Sequence, residues 1–215
     1  MDPFVKKPDP IAPEPEVEAR MAQLSAYTVI GEETTDRRTD KATFTSTGEA
    51  GASAIYLRDG GTLYLKNPEI HGYGEMTQED LRNELGSKYG FCAAVLSNQK
   101  TSHVTLVNPK IVCHEQSTAN GAYAIFGGAV VIEGGTIDTC NRQGHGVDAS
   151  YGGHVYCNGT VIHTGGRNSG ALATDFQGGY ITVRDIDATT EIPGSPGIYT
   201  AGKSIITAYN SKFLS

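Results

Sequence analysis

The sequence predicts an all-β, right-handed, single-stranded parallel β-helix of about six rungs. A recurring phrase, a fixed period and strand-like contents predict it. In the phrase, a small residue and a β-branched or leucine residue lead into a glycine corner, and a short apolar alternation follows. It runs Gly146-Val147-Asp148-Ala149-Ser150-Tyr151-Gly152-Gly153 with Val155-Tyr156-Cys157 behind it. It returns as Gly170-Ala171-Leu172-Ala173-Thr174-Asp175-Phe176-Gln177-Gly178-Gly179 with Ile181-Thr182-Val183, and as Gly197-Ile198-Tyr199-Thr200-Ala201-Gly202 with Ile205-Ile206-Thr207. Val147 and Leu172 stand 25 residues apart, and Leu172 and Ile198 stand 26 apart. A period in the twenties without helical contents marks a solenoid whose units stack and bury one continuous core.

Taken in order, residues 1 to about 16 are rich in proline and acid and read as a disordered or extended arm. Glu16 to Leu24 fits a short helix laid over the first rung, so that residues 1–24 form an arm and cap and residues 25–215 form the β-helix. Rung one is Ala54-Ile55-Tyr56-Leu57 with Leu63-Tyr64-Leu65. An insertion follows, in which Thr77-Gln78-Glu79-Asp80 resembles a capping box and Leu81 and Leu85 share a helical spacing. A small helix is therefore predicted near 77–87, protruding from one corner. Rung two is Ala94-Val95-Leu96-Ser97 with Val104-Thr105-Leu106, and rung three is Ala124-Ile125-Phe126-Gly127 with Val130-Val131-Ile132. The last rung closes on Phe213-Leu214-Ser215 with no amphipathic cap. A homodimer or a partner chain is expected at that open C-terminal end.

Composition sets further bounds. The 215 residues suffice for one domain with a sizeable core. The 27 glycines, with no tryptophan, suit a fold that turns every few residues and lack the three-residue period of collagen. A net charge of −7 gives no basic face for nucleic acid. No apolar run approaches the ~20 residues that span a bilayer, and the start of the chain lacks the pattern of a secretory leader. A cytoplasmic location is expected, or a secreted one if a leader has been removed. In the second case the sequon Asn158-Gly159-Thr160 gains meaning. Cys92 and Cys157 read as small apolar residues on strands, and Cys113 and Cys140 stand at nearly matching places in successive units, where a bridge is geometrically possible.

The three phrases Gly146 to Gly153, Ala171 to Asp175 and Gly194-Ser195-Pro196-Gly197-Ile198-Tyr199 resemble the repeats of adhesin-like, pectin-lyase-like right-handed β-helix proteins. Members are often described as carbohydrate-binding. The resemblance covers roughly residues 90–208. It implies the fold and a carbohydrate ligand, without specifying an activity.

Stacking converts the repeats into a candidate site. Equivalent residues of adjacent rungs lie ~4.8 Å apart, and alternate residues share a face. With Val147, Leu172 and Ile198 inward, Asp148, Ala173 and Tyr199 form an outward column, with Tyr56, Leu96 and Phe126 below. Ala173 leaves a notch flanked by Asp148, Tyr199 and Asp175. One rung plus two residues of strand separates the two carboxylates by roughly 8 Å, a spacing usable by an acid and a base. Phe126, His145 and Tyr151 are placed as a stacking wall and hydrogen-bonding groups. Each residue also has a structural alternative: Asp175 as a turn cap, Asp148 as a solvated carboxylate, Tyr199 as cover for the next rung.

A second column is expected on the third strand. With Ile137, Ile162 and Ile186 inward, Asp138, His163 and Asp187 face outward on successive rungs. A histidine between two carboxylates has its charged form favoured and can serve as a general acid, or the set can be a surface charge ladder. His114 and Cys140 occupy the next outward positions, but the spacing closes no ligand set and no metal is expected. No cofactor is expected either, because the glycine-rich run Gly165 to Gly170 joins two strands and a phosphate loop needs a helix N-terminus.

Two functions follow from these readings. One is an acid/base enzyme of isomerase, cyclase, lyase or hydrolase type, acting on a polyhydroxylated or glycan-like small molecule. In it Asp148, Asp175, Tyr199 and His163 act, and Phe126, His145, Tyr151, Asp138 and Asp187 bind substrate. The other is a non-catalytic carbohydrate-binding, adhesin-like module, or an assembly subunit that pairs through its open end.

Overall fold

The computed structural model describes residues 15–23, 25–31, 35–114 and 117–215. The proline- and acid-rich segment 1–14 lies outside the described residues. Helix α1 (Pro15–Gln23) precedes a parallel β-solenoid of seven rungs, built from three seven-stranded sheets. Each rung gives one strand to each sheet, as in Val147–Ser150, His154–Asn158 and Val161–Thr164. Every pairing is parallel and joins a strand to its counterpart one rung away. No described helix is long and apolar enough to cross a membrane.

Seven rungs replace the six expected. The additional one comes first, from Thr28–Ile30, Thr35–Arg38 and Thr43–Thr45. Its strands are short and polar and lack the glycine-corner phrase. It is held through pairing with the next rung, as in Val29 with Leu57 and Phe44 with Ile70.

The interior is made of columns. On the third sheet Ile111, Ile137, Ile162 and Ala188 stand in register and are buried. The strands end on inward Thr139, Thr164 and Thr190, whose hydroxyls donate to the carbonyls of Gly144, Ser169 and Ser195. Each threonine so closes the corner loop five residues ahead of it, satisfying a buried carbonyl and fixing that loop's shape on every rung. Close stacking limits side chains elsewhere. A Cβ on Gly179 would lie 1.8 Å from the Ala149 carbonyl oxygen on the rung below.

The insertion forms two short helices, α2 (Gln78–Arg82) and α3 (Leu85–Tyr89). Thr77 Oγ1 accepts from Asp80 N–H while Asp80 Oδ2 accepts from Thr77 N–H, so the capping box is complete. The insertion does not protrude. It folds back over the outer face of the first sheet, where Tyr123 Oη donates to the Ser87 carbonyl and Gly90 ends α3 in the left-handed conformation. A Cβ on Gly90 would meet Leu96 and Tyr123 at 2.8 and 2.9 Å, so only glycine permits so close an approach. Arg20 of α1 ties down the other side with two 2.7 Å bonds to the buried Asp80 carboxylate, and lies over the Phe91 ring.

The cover gives the first sheet a core on each face. Tyr56, Leu96, Tyr123 and Asp148 point outward from the solenoid yet are buried.

The register is testable with two neighbouring residues. Ile162 is fully buried and Val161 is 50% exposed. Ile162→Ala is expected to destabilise by about 2–5 kcal/mol, and Val161→Ala to stay within about 0.5 kcal/mol of the parent, in urea unfolding. Equal losses would place the third strand in the wrong register.

Candidate functional site

The site lies at the edge of the insertion's cover, where the first sheet meets the corner loops that follow the third. A cleft of about 260 Å³ is lined there by Ser87, Gln143, His145, Asn168, Asp175, Gly194, Pro196 and Tyr199. The loops build one wall by the same register that builds the core. Gln143, Asn168 and Gly194 each lie four residues beyond the corner threonine of their rung, and all three are left-handed, with φ of 61°, 59° and 86°. His145 and Pro196 stand two residues further on, on either side of Gly170. The facing wall comes from the first sheet and its corner, with Asp175 just past Leu172–Thr174, Tyr199 on Ile198–Thr200, and Ser87 from α3.

His145 is fixed by backbone. Its N–H donates to Asn120 Oδ1 at 2.8 Å, and its Nδ1 accepts from Gly170 N–H at 2.8 Å. The second bond assigns the proton to Nε2 and gives the neutral tautomer. Burial lowers the imidazole pKa to about 4. His145 is therefore a neutral donor near pH 7.

Asp148 is the unusual group. It pairs in register with Tyr123 on one side and Ala173 on the other, and is fully buried. Neither carboxyl oxygen has a hydrogen-bond partner of good geometry among the described residues. Burial holds its pKa well above the ordinary carboxylate range, and the Asp175 charge adds to the shift. The adjacent Ala149 N–H pulls the other way too weakly to restore ionisation. Asp175 is half-buried, with its pKa raised by burial and by the Glu84 charge and lowered in part by Phe176 N–H, which donates to its Oδ1 at 2.8 Å. The Tyr199 phenol is held above its ordinary range by the Asp175 charge first, then by burial and by Asp148 and Glu84. Two neighbouring carboxyls with unequal surroundings divide into a proton holder, Asp148, and a group that ionises first, Asp175.

The sequence-predicted residues fall into three places. Asp175, Tyr199 and His145 meet in the cleft, and Asp148 lies behind them, beneath the cover rather than in solvent. Ala173 stands between Asp148 and Tyr199 in register, but is itself buried.

Phe126 is not in the Asp148 column. That place belongs to Tyr123, which pairs with Leu96 and Asp148. Phe126 and Tyr151 instead occupy a corner, where a ring stack runs from Phe126 to Tyr151 (5.0 Å between centroids) to Phe176 (6.3 Å), with Tyr89 of α3 against the first two. All three corner aromatics are left-handed, with φ of 51°, 47° and 36°. Such backbone costs ~1–2 kcal/mol per residue, and each ring pair returns ~0.5–1.5 kcal/mol. The stack thus holds a strained corner and does not line the cleft.

The second column is also corrected. Asp138 and His163 are register partners, but the next residue up is Thr189; Asp187 is aligned with Val161. The inward position of that strand is taken by Ala188, while Ile186 is buried at the preceding corner, which shifts the column by one residue. His163 still lies between two carboxylates: Nδ1 is 3.0 Å from Asp138 Oδ1, and Nε2 is 3.0 Å from Glu191 Oε1. Burial pulls the His163 pKa down, but the two hydrogen bonds outweigh it and raise the value. Asp187 faces Lys212 at 3.7 Å. Cys113 points into the core and Cys140 outward, so one residue of offset puts them on opposite faces of the sheet and no bridge forms.

No protein-family model, no curated protein and no solved structure matches the chain.

The raised pKa of Asp148 gives a stability test. Unfolded, it ionises above about pH 3.9; folded, it keeps its proton well above that. Stability therefore falls as pH rises from that value to the folded pKa. Asp148→Asn is expected to remove the slope and raise the melting temperature near pH 8, by at least about 2–4 °C if the shift exceeds one unit. A lower melting temperature with the slope retained would contradict the assignment.

Proposed function

We propose that the protein is an acid/base enzyme acting on a small polyhydroxylated molecule in the cleft between Asp175, Tyr199 and His145. The observation that carries the proposal is Asp148, a buried carboxyl whose oxygens meet no hydrogen-bond partner of good geometry among the described residues, set beside a second carboxyl that reaches a cleft. Stability alone does not favour an unpaired buried carboxyl, and perturbed titratable groups concentrate at working sites.

The chemistry follows from the protonation states. Asp175, ionised first, is the base. Neutral His145 offers Nε2–H, and Tyr199 keeps its O–H, so two donors flank the acceptor side of a bound carbonyl or hydroxyl. Asp148 holds a proton behind them and touches no ligand. This set suits proton removal next to a carbonyl, as in an isomerase or lyase, more than attack by a covalent nucleophile. The volume lies just below the usual ~300–1,000 Å³ of ligand pockets, which suits a single ring. No cationic side chain is among the described residues that line the cleft, which favours an uncharged ligand.

A second reading is a non-catalytic carbohydrate-binding module of the adhesin-like, pectin-lyase-like kind, or an assembly subunit. Its support is the last described rung, where Ile198 and Tyr199 are 41% and 42% exposed and are available to a ligand or a further chain.

The test is proton exchange. The full chain is incubated in deuterated water with a panel of aldoses, ketoses and lactones, and loss of carbon-bound proton signals is followed by NMR. At least one compound is expected to exchange, with Asp175→Asn slowing it ~10²- to 10⁴-fold and Tyr199→Phe slowing it less. Binding without exchange or conversion, unchanged in Asp175→Asn and lost in Tyr199→Ala, would replace the enzyme with the binding module.

A further inference from the structure

A separate cluster lies on the outer face of the third sheet. Asp138 and Cys140 are two residues apart on one strand and its extension, and so point to the same side. His163 is the register partner of Asp138 one rung on. Asp138 Oδ1 is 3.2 Å from Cys140 Sγ and 3.0 Å from His163 Nδ1, and the three ligand atoms all lie within 4.8 Å of one another. Tetrahedral zinc, with bonds of ~2.0–2.3 Å, sets ligand-to-ligand edges of roughly 3.3–3.6 Å. Two pairs fall a few tenths of an ångström short of those edges, and the third, Cys140 with His163, lies within 4.8 Å, so that closing by at most about 1.2 Å there brings the atoms onto one ion.

The surroundings are those of a metal ligand set. His163 presents Nδ1 to the cluster and gives its other nitrogen to Glu191 at 3.0 Å. A carboxylate on the far nitrogen is the usual outer support of a metal-bound imidazole, fixing ring orientation and raising basicity. Gly165 follows His163 by two residues on the same face. A Cβ there would lie 3.6 Å from Glu191 Oε2 and 3.7 Å from His163 Cε1, so the glycine leaves the side of the imidazole open. Parallel strands position the three donors, which makes the set nearly preformed.

We propose that Asp138, Cys140 and His163 form a three-ligand site for a zinc-type divalent transition metal, with the fourth position open. One thiolate, one imidazole and one carboxylate are borderline-soft donors that suit Zn²⁺ and exclude Mg²⁺ and Ca²⁺, which take oxygen ligands. On binding, the Cys140 thiol proton passes to solvent and the thiolate joins the metal. His163 likewise releases any Nδ1 proton to solvent, joins through Nδ1 and keeps Nε2–H on Glu191. An open fourth position is the pattern of sites that bind a water or a small ligand.

The experiment uses the full chain without an affinity tag. Zn²⁺ is titrated calorimetrically, and Co²⁺ is titrated by absorption, where a thiolate ligand gives a near-ultraviolet charge-transfer band. One equivalent of Zn²⁺ is expected to bind, with the Co²⁺ band present. Cys140→Ser should abolish the band, and His163→Gln should weaken Zn²⁺ at least tenfold. Glu191→Gln should weaken it ~10- to 100-fold through the outer support, and His103→Gln, on the second sheet, should leave it unchanged. Absence of saturable binding, a Co²⁺ complex without the thiolate band, or affinity unchanged in Cys140→Ser would overturn the site and leave an adventitious ion only. Cys140 and its neighbours lie on the outer face, where such substitutions leave the core intact; far-UV circular dichroism checks this.

Discussion

In-register parallel stacking is the constraint on which everything else in the molecule depends. With ~4.8 Å between rungs, a residue's neighbours are its equivalents one repeat away. Whatever occurs at one offset therefore recurs as a column: isoleucine in the third-sheet core, threonine at its closing corner, left-handed residues four positions later. Register drives packing, because a slip of one residue turns each inward side chain outward. It also drives function, because the cleft wall of Gln143, Asn168 and Gly194 is a stack of three corners.

A second constraint acts on this scaffold. The insertion covers an outer face that a solenoid would normally leave wet, and is pinned there by Arg20 on Asp80, by Gly90 on Leu96 and Tyr123, and by Tyr89 on the corner aromatics. Beneath that cover Asp148 cannot ionise easily. At the cover's edge Asp175 and Tyr199 meet solvent. The site is thus where a buried outer column emerges, and its unequal carboxyls are a consequence of where α3 ends.

Much of this was legible in the residues. The period and the phrase around Val147, Leu172 and Ile198 give the fold and their exact alignment, and Thr77 to Asp80 gives the insertion's helical start. Misplacements arise where the signal is physically absent. The first rung, with Thr35-Asp36-Arg37-Arg38 as its second strand, carries no apolar alternation. In Ala122-Tyr123-Ala124-Ile125 every residue is buried, because core lies on each face. The period of two disappears there, and with it the means to choose Tyr123 over Phe126. Asp187 is displaced because the corner residue Ile186 is buried as deeply as a strand residue. Asp175, Tyr199 and His145 were readable as a group. Gln143, Asn168 and Gly194 were missed, although their equal distance from Thr139, Thr164 and Thr190 is present in the sequence. Ser87 depends on where the insertion folds, which no local pattern specifies.

The central claim is that one carboxyl of the pair stays protonated while the other ionises. The most direct measurement is a ¹³Cγ NMR titration of Asp148 and Asp175 in the full chain, assigned by substituting each with asparagine. The account predicts that Asp175 ionises first and that Asp148 keeps its proton to a clearly higher pH. Ionisation of Asp148 near the ordinary value of about 3.9 would contradict it.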